Sequence, residues 1–233
     1  MNTSAITYIA HSGFLVETEQ TLLLFDYYKG PLPLISDKKA LYVFVSHRHS
    51  DHFNPEIFTL SHSCPHTQFI LSSDIWKSRI PETLKEQTVR LKPNTTWKDS
   101  YIEVQTLKST DEGLAFLVHT EGKTYYHAGD LNDWRWEGEP EDWNRRMFEN
   151  YKTFLEPVRN LHIDMAFLPL DPRQEKNYCL GMDYFLELTD TDTVFPMHCW
   201  EDYSVIDRWF SEHPDSPYKE RIRRISYMGE KFT

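Results

Sequence analysis

Ser46-His47-Arg48-His49-Ser50-Asp51-His52 is the densest run of reactive side chains in the sequence. It spells H-x-H-x-D-H, a pattern of low chance frequency even with 11 histidines in the chain. Imidazole nitrogens and carboxylate oxygens bind zinc, iron or manganese. In extended backbone, side chains two apart point the same way, so His47 and His49 can share one ion. Asp51 and His52 leave the turn in another direction, which suits a second ion beside the first. The bland alternative is a solvated polar loop. Against it stands the position of the run, between a continuous apolar strand at 40–46 and a helix start at Asn54-Pro55-Glu56.

The elements that must hold this loop follow from periodicity. Strands are predicted at 6–10, 14–17, 21–25, 40–46 and 68–71, with a helix near 75–79. Residues 87–127 alternate like an antiparallel meander, with strands at 102–107, 114–118 and 124–127 and a hairpin turn at Glu121-Gly122-Lys123. From Trp143 to Leu161, apolar residues recur every three or four positions as on one helix face. Strand, helix, strand and helix follow at 165–168, 182–188, 194–196 and 203–210, and a closing strand at 222–227. A β-rich half followed by β/α alternation predicts two sheets with helices outside, a four-layer sandwich of the α/β (α+β) class.

Composition narrows the rest. The chain has 233 residues with no repeat or linker, read as a single domain over 1–233. A net charge of −11 disfavours broad nucleic-acid binding. Three cysteines without a C-x-x-C exclude a disulfide framework and a cysteine-rich zinc site, and 8 glycines form no phosphate loop. No apolar run is long enough for a membrane helix, and Met1-Asn2-Thr3-Ser4 does not read as a leader, so a soluble, cytoplasmic protein is expected.

With these residues in order, the chain resembles a metallo-β-lactamase superfamily hydrolase of the uncharacterised metal-dependent branch. Asp26 ends an early apolar strand, H-x-H-x-D-H follows, Gly129-Asp130 follows the strand ending at Ala128, and His198 stands in Phe195-Pro196-Met197-His198. His11-Ser12-Gly13-Phe14 resembles the opening of that branch. The resemblance implies the αββα fold, with His47, His49 and a third ligand on one metal, Asp51, His52 and His198 on the other, and Asp130 between them. Asp26 and His11 would lie behind the ligands. The family's third-motif histidine is missing: the expected loop reads Lys108-Ser109-Thr110-Asp111-Glu112-Gly113. Asp111 is the substitute, with His119 its rival at the far end of the next strand; His62 and His66 read as surface residues.

Two divalent ions, zinc first and manganese or iron as alternatives, would generate hydroxide at neutral pH and polarise a carbonyl or phosphoryl oxygen. Asp51 would orient that hydroxide or accept its proton. The expected activity is hydrolysis of an ester, lactone, amide or phosphodiester bond in a small molecule. Arg173 could clamp an anion or pair with Asp171. Trp134 and Trp136 could wall the metals or pack a helix, and Tyr178 could line a pocket or cap one. The competing readings are a mononuclear iron oxygenase of a thiol substrate and a degenerate metal-binding scaffold.

Overall fold

The computed structural model describes residues 4–31, 35 and 38–233. The residues Met1–Thr3 read as leader-free lie outside this set. The apolar alternation of the first half forms a sheet of β1 (Ala5–Ala10), β2 (Gly13–Glu17), β3 (Thr21–Phe25), β4 (Ala40–Val45), β5 (Thr67–Ser72) and β6 (Thr88–Leu91). The two-residue β13 (Lys231–Phe232) closes its edge against β1. Pairing is antiparallel from β1 to β3 and parallel from β3 to β6. The second sheet comprises β7 (Thr96–Lys98), β8 (Ile102–Lys108), β9 (Leu114–Thr120), β10 (Lys123–His127), β11 (His162–Pro169) and β12 (Asp190–Met197). It is antiparallel through β10 and parallel from β10 to β12.

The period-two pattern decides which face each side chain takes. On β4, Tyr42 and Phe44 point into the core between the sheets, where Phe44 meets Phe116 edge-on at 5.3 Å. Leu41, Val43 and Val45 point the other way, into a second core with Ile57, Phe58 and Phe69. That is why this strand reads as continuously apolar. The outer layer there is thin: a 3₁₀ turn at Pro55–Thr59 and the one-turn α1 (Leu60–Ser63). The Asn54 side chain accepts from the Glu56 amide and starts the turn. Over the second sheet lie α2 (Glu141–Leu155), α3 (Leu180–Leu188) and α4 (Ser204–Glu212), with Phe185 of α3 stacked on Tyr126 of β10 at 4.6 Å. The fold is thus mixed α/β, two large sheets face to face with helical layers outside.

Three sequence expectations differ from the structure. The helix expected at 75–79 is only a 3₁₀ turn, Lys77–Arg79. The long helix ends at Leu155, and a 3₁₀ turn, Glu156–Val158, follows, because Pro157 has no N–H to continue the ladder. The closing strand at 222–227 is not a strand. It has one bridge, Ile222 to Val194, and the chain end closes on β1 instead. Only Ile222 and Ile225 are buried there, too few to pin a ladder.

Candidate metal centre

The chemistry collects where parallel strands end, the place where open α/β sheets bind ligands. Asp26 follows β3, His47 follows β4, Asp130 lies beyond β10, Asp171 beyond β11 and His198 follows β12. His11 sits in the tight turn between β1 and β2, and Asp111 in the loop between β8 and β9. His11, Asp26 and His198 all adopt left-handed backbone, with φ of 54°, 41° and 63°. Such conformations cost on the order of 1 kcal/mol or more each in non-glycine residues and persist where the surroundings enforce them.

Two groups of donor atoms result. His47, His49, Asp111 and Asp130 form one; His11, Asp51, His52 and His198 form the other, and within each group the donor atoms lie within 4.8 Å of one another. Asp130 stands between them. Its Oδ2 is 3.5 Å from His47 Nε2, while its Oδ1 is 3.1 Å from His52 Nε2 and 3.4 Å from His198 Nε2. His11, expected behind the ligands with Asp26, is instead inside the second group, its Nε2 3.6 Å from Asp51 Oδ2. The β1–β2 turn delivers it there, and the His198 amide donates to the His11 carbonyl.

Buried acceptors behind the rings fix which nitrogen faces inward. His52 Nδ1 donates to Asp26 at 2.8 Å, and His198 Nδ1 to Asp171 at 2.9 Å. The Ser46 hydroxyl donates to Asp26, so its oxygen accepts from His47 Nδ1 at 3.0 Å. Each Nε2 therefore turns toward Asp130. Among the described residues, His11 Nε2, His52 Nε2, His198 Nε2 and Asp130 Oδ1 are buried without a hydrogen-bond partner. Burying such groups unpaired is costly, so four of them aimed at one point fit a metal ion.

Electrostatics prepares the donors. Burial holds His11 down to about 2, and lowers His47 and His127 as well. Burial also opposes charge on His52, but Asp130 and Asp26 outweigh it and raise His52. Burial works against ionisation of Asp130, yet His52 and His198 hold it well below the carboxylate range. The unfolded chain protonates its histidines as pH falls through about 6.5, whereas His11, His47 and His127 resist in the fold. Their contribution is present above that pH and lost below it; His52 contributes below it and loses its contribution above its raised value. His162 is raised as well, but it is exposed and its pairing with Asp190 is screened by solvent. The three buried, lowered histidines set the sign, so the thermal midpoint of metal-free protein is expected to be lower at about pH 5 than at about pH 7. A higher midpoint at the lower pH would contradict the assignment.

Over the centre opens a cleft of about 350 Å³, walled by Trp134, Trp136, Trp143, Met147, Arg173 and Trp200. Trp134 and Trp136 line the cleft stacked on each other, and the Trp134 indole donates to the Asp130 backbone carbonyl. Arg173 lines the cleft and grips both oxygens of Asp171, the second of the two roles weighed for it. Tyr178 is away from the cleft, a correction to its proposed contact with substrate. It is buried, donates to Glu212 and packs under Arg208, bracing the helices over the second sheet. His119 bonds Thr124 at the hairpin end of β9, far from the centre. Asp111 Oδ2 lies 4.0 Å from His49 Nδ1, and Glu112 Oε2 3.4 Å from His49 Nε2. Sequence reasoning missed Glu112 at the site, His127, and the role of Asp171 behind His198. The only sequence signal for Asp171 was its place after a strand end, before a proline.

Two facing mixed sheets with a histidine–aspartate centre at their carboxyl ends define a metallo-β-lactamase-type fold. The chain belongs to the family described as the beta-lactamase superfamily domain, whose profile matches residues 5–137. It is similar to a UPF0173 metal-dependent hydrolase of Opitutus terrae, 31% identical over 141 residues that cover 54% of this chain and 62% of that protein. The match thus spans less than two thirds of the relative's length. Among solved structures, it is similar to a novel metallo hydrolase of the archaeon Ignicoccus hospitalis (TM-score 0.65, 18% identity, 98% of this chain and 97% of that one). A metallo-beta-lactamase fold protein of Bacillus subtilis gives a TM-score of 0.63 at 14% identity, over 100% and 99% of the two chains. A diiron beta-hydroxylase of Streptomyces venezuelae gives 0.59 at 10%, over 100% of this chain and 54% of that one. At these identities the likeness is one of fold.

Proposed function

We propose that this chain is a metal-dependent hydrolase that holds two divalent ions, zinc ahead of manganese or iron, and cleaves an ester, lactone, amide or phosphodiester bond in a small molecule. The observation that carries this is the placement of Asp130, one oxygen toward His47 and the other toward His52 and His198. His47, His49 and Asp111 would hold one ion, and His11, Asp51, His52 and His198 the other, with Asp130 shared. Divalent ions held there supply Lewis acidity that makes water acidic and polarises a carbonyl or phosphoryl oxygen. Asp51, which is partly exposed and lines the cleft, would accept the proton of the attacking water. Asp26 and Asp171 keep the His52 and His198 rings in one tautomer and orientation. The reading takes 1–233 as one domain working on a small molecule in the cytoplasm, without broad nucleic-acid or membrane partners. Among the described residues no helix is long and apolar enough to cross a membrane.

Two donor groups favour two ions over the single iron of an oxygenase, and the carboxylates of Asp111 and Glu112 beside His49 stand against a disabled scaffold. Elemental analysis of the purified protein, run beside a panel of the four bond types, tests this. About two zinc or manganese ions per chain are expected, with hydrolysis lost on chelation and restored by metal. Asp111→Ala is expected to lose one ion and keep the other; an unchanged content moves the role to Glu112. One iron per chain with oxygen uptake on a thiol overturns the proposal, as does failure to bind zinc at all.

A further inference from the structure

Four of the 7 tryptophans in the chain meet at one cleft, and not one of them is a metal donor. We propose that this cleft seats a flat, uncharged aromatic or conjugated group that the substrate carries next to its scissile bond. The inference rests on the hydrolase reading and narrows its substrate.

The shape comes first. Trp134 and Trp136 are parallel within 6°, with centroids 5.9 Å apart, and Trp134 meets His198 at 5.4 Å. An aromatic wall therefore runs outward from the metal centre. Trp143 and Met147 line the same cleft from α2. Trp200 stands at its mouth and is 44% exposed, a large apolar surface that packing within the chain leaves uncovered. It is nevertheless held in place: its indole N–H donates to Asp171 at 3.2 Å, and the Arg173 guanidinium lies 4.3 Å over its ring. A rigid, exposed aromatic presents contact area without losing side-chain freedom on binding. A volume of about 350 Å³ is at the small end for ligand sites, with room for a group on the order of ten heavy atoms beside the reacting bond.

Charge decides the rest. Tryptophan faces also attract quaternary ammonium groups. Here Arg173 already occupies a face of Trp200 and approaches Trp136 at 5.9 Å. The cleft carboxylates Asp51, Asp111 and Asp130 are those that the two divalent ions of the proposed function would neutralise, so with metal bound a second cation would find a face taken and no free anion. An anion is no better served, because Arg173 Nε and Nη2 bond both oxygens of Asp171 and three further carboxylates, Asp51, Asp111 and Asp130, line the same cleft. Stacking and dispersion remain, and they favour a neutral planar group.

Tryptophan-fluorescence titration with 2-acetylnaphthalene, cyclohexyl methyl ketone, phenyltrimethylammonium and 2-naphthoate, on metal-free and metal-loaded protein, separates these classes. The naphthyl ketone is expected to bind about tenfold more tightly than the cyclohexyl ketone and the carboxylate on metal-free protein, and than the cation on metal-loaded protein. Trp136→Leu and Trp143→Leu should each weaken it several-fold. In parallel, metal-loaded protein is expected to show about tenfold higher kcat/KM on ethyl naphthylacetate than on ethyl cyclohexylacetate, esters with the same leaving group. Equal affinities, tighter binding of the carboxylate to metal-free protein, or tighter binding of the cation to metal-loaded protein overturn the aromatic seat. If both esters are then cleaved equally, the hydrolase reading survives without it. If the naphthyl ketone binds as expected but none of the four bond types is hydrolysed, the hydrolase reading has failed and the seat stands as a binding site.

Discussion

Asp130→Ala is expected to leave a folded protein that has lost both metal ions and its hydrolytic activity together. Asp130 offers one carboxylate oxygen to each donor group, Oδ2 toward His47 and Oδ1 toward His52 and His198. Without it, the inward nitrogens of His47, His52 and His198 keep their positions, because Ser46, Asp26 and Asp171 hold the rings from behind. They lose the anion that offsets the charge of two neighbouring cations. Removing outer partners of a metal site costs about ten- to a hundredfold in affinity or activity, and a shared ligand should cost more than a hundredfold. Elemental analysis and kcat/KM on the hydrolysed bond type give the two readouts, with circular dichroism as the check on folding. Retention of two ions would sink the bridging role even if activity fell.

Gly113→Ala carries the largest effect expected from a residue with no reactive group. Gly113 has φ of 74°, and a Cβ built there would lie 2.0 Å from the Ser46 carbonyl oxygen and 2.5 Å from His47 Cβ. The Leu114 amide donates to that same carbonyl, so the loop bearing Asp111 is laid directly on the backbone of the histidine loop. Gly122 is the matched control, with φ of 76° and open space around its Cβ. Gly122→Ala should cost roughly 1 kcal/mol from backbone strain alone. Gly113→Ala adds a clash with backbone that has nowhere to go, for a total of roughly 2–4 kcal/mol. That corresponds to a fall of about 5–15 °C in the thermal midpoint of a domain this size. The displaced loop should also weaken binding of the ion that His47 would hold. Equal midpoints for the two variants would mean that the loop shifts without consequence.

Much of the fold was legible because it is written in short-range periodicity. Strands such as β3 and β9 have buried faces that leave a clear apolar record, and α2 has its stripe. The failures share a cause. Whether residues 222–227 or the last residues pair with the first sheet depends on an edge more than two hundred positions away in sequence, which local pattern does not encode. The turn at Lys77–Arg79 lies between Ile75 and Ile80, which pack into the outer core of the first sheet among residues far off in sequence.

The site divides along the same line. His47, His49, Asp51 and His52 were determined by the sequence itself, since their spacing within one loop sets the directions in which they point. The placement of His11 among the donors, of Asp171 behind His198, and of Trp200 in the same cleft as Trp136 was decided only by the tertiary structure. Each of these residues sits at the end of a different strand or turn. Their distances are set by strand pairing and by the packing of one sheet on the other, which bring together residues that no window along the chain contains.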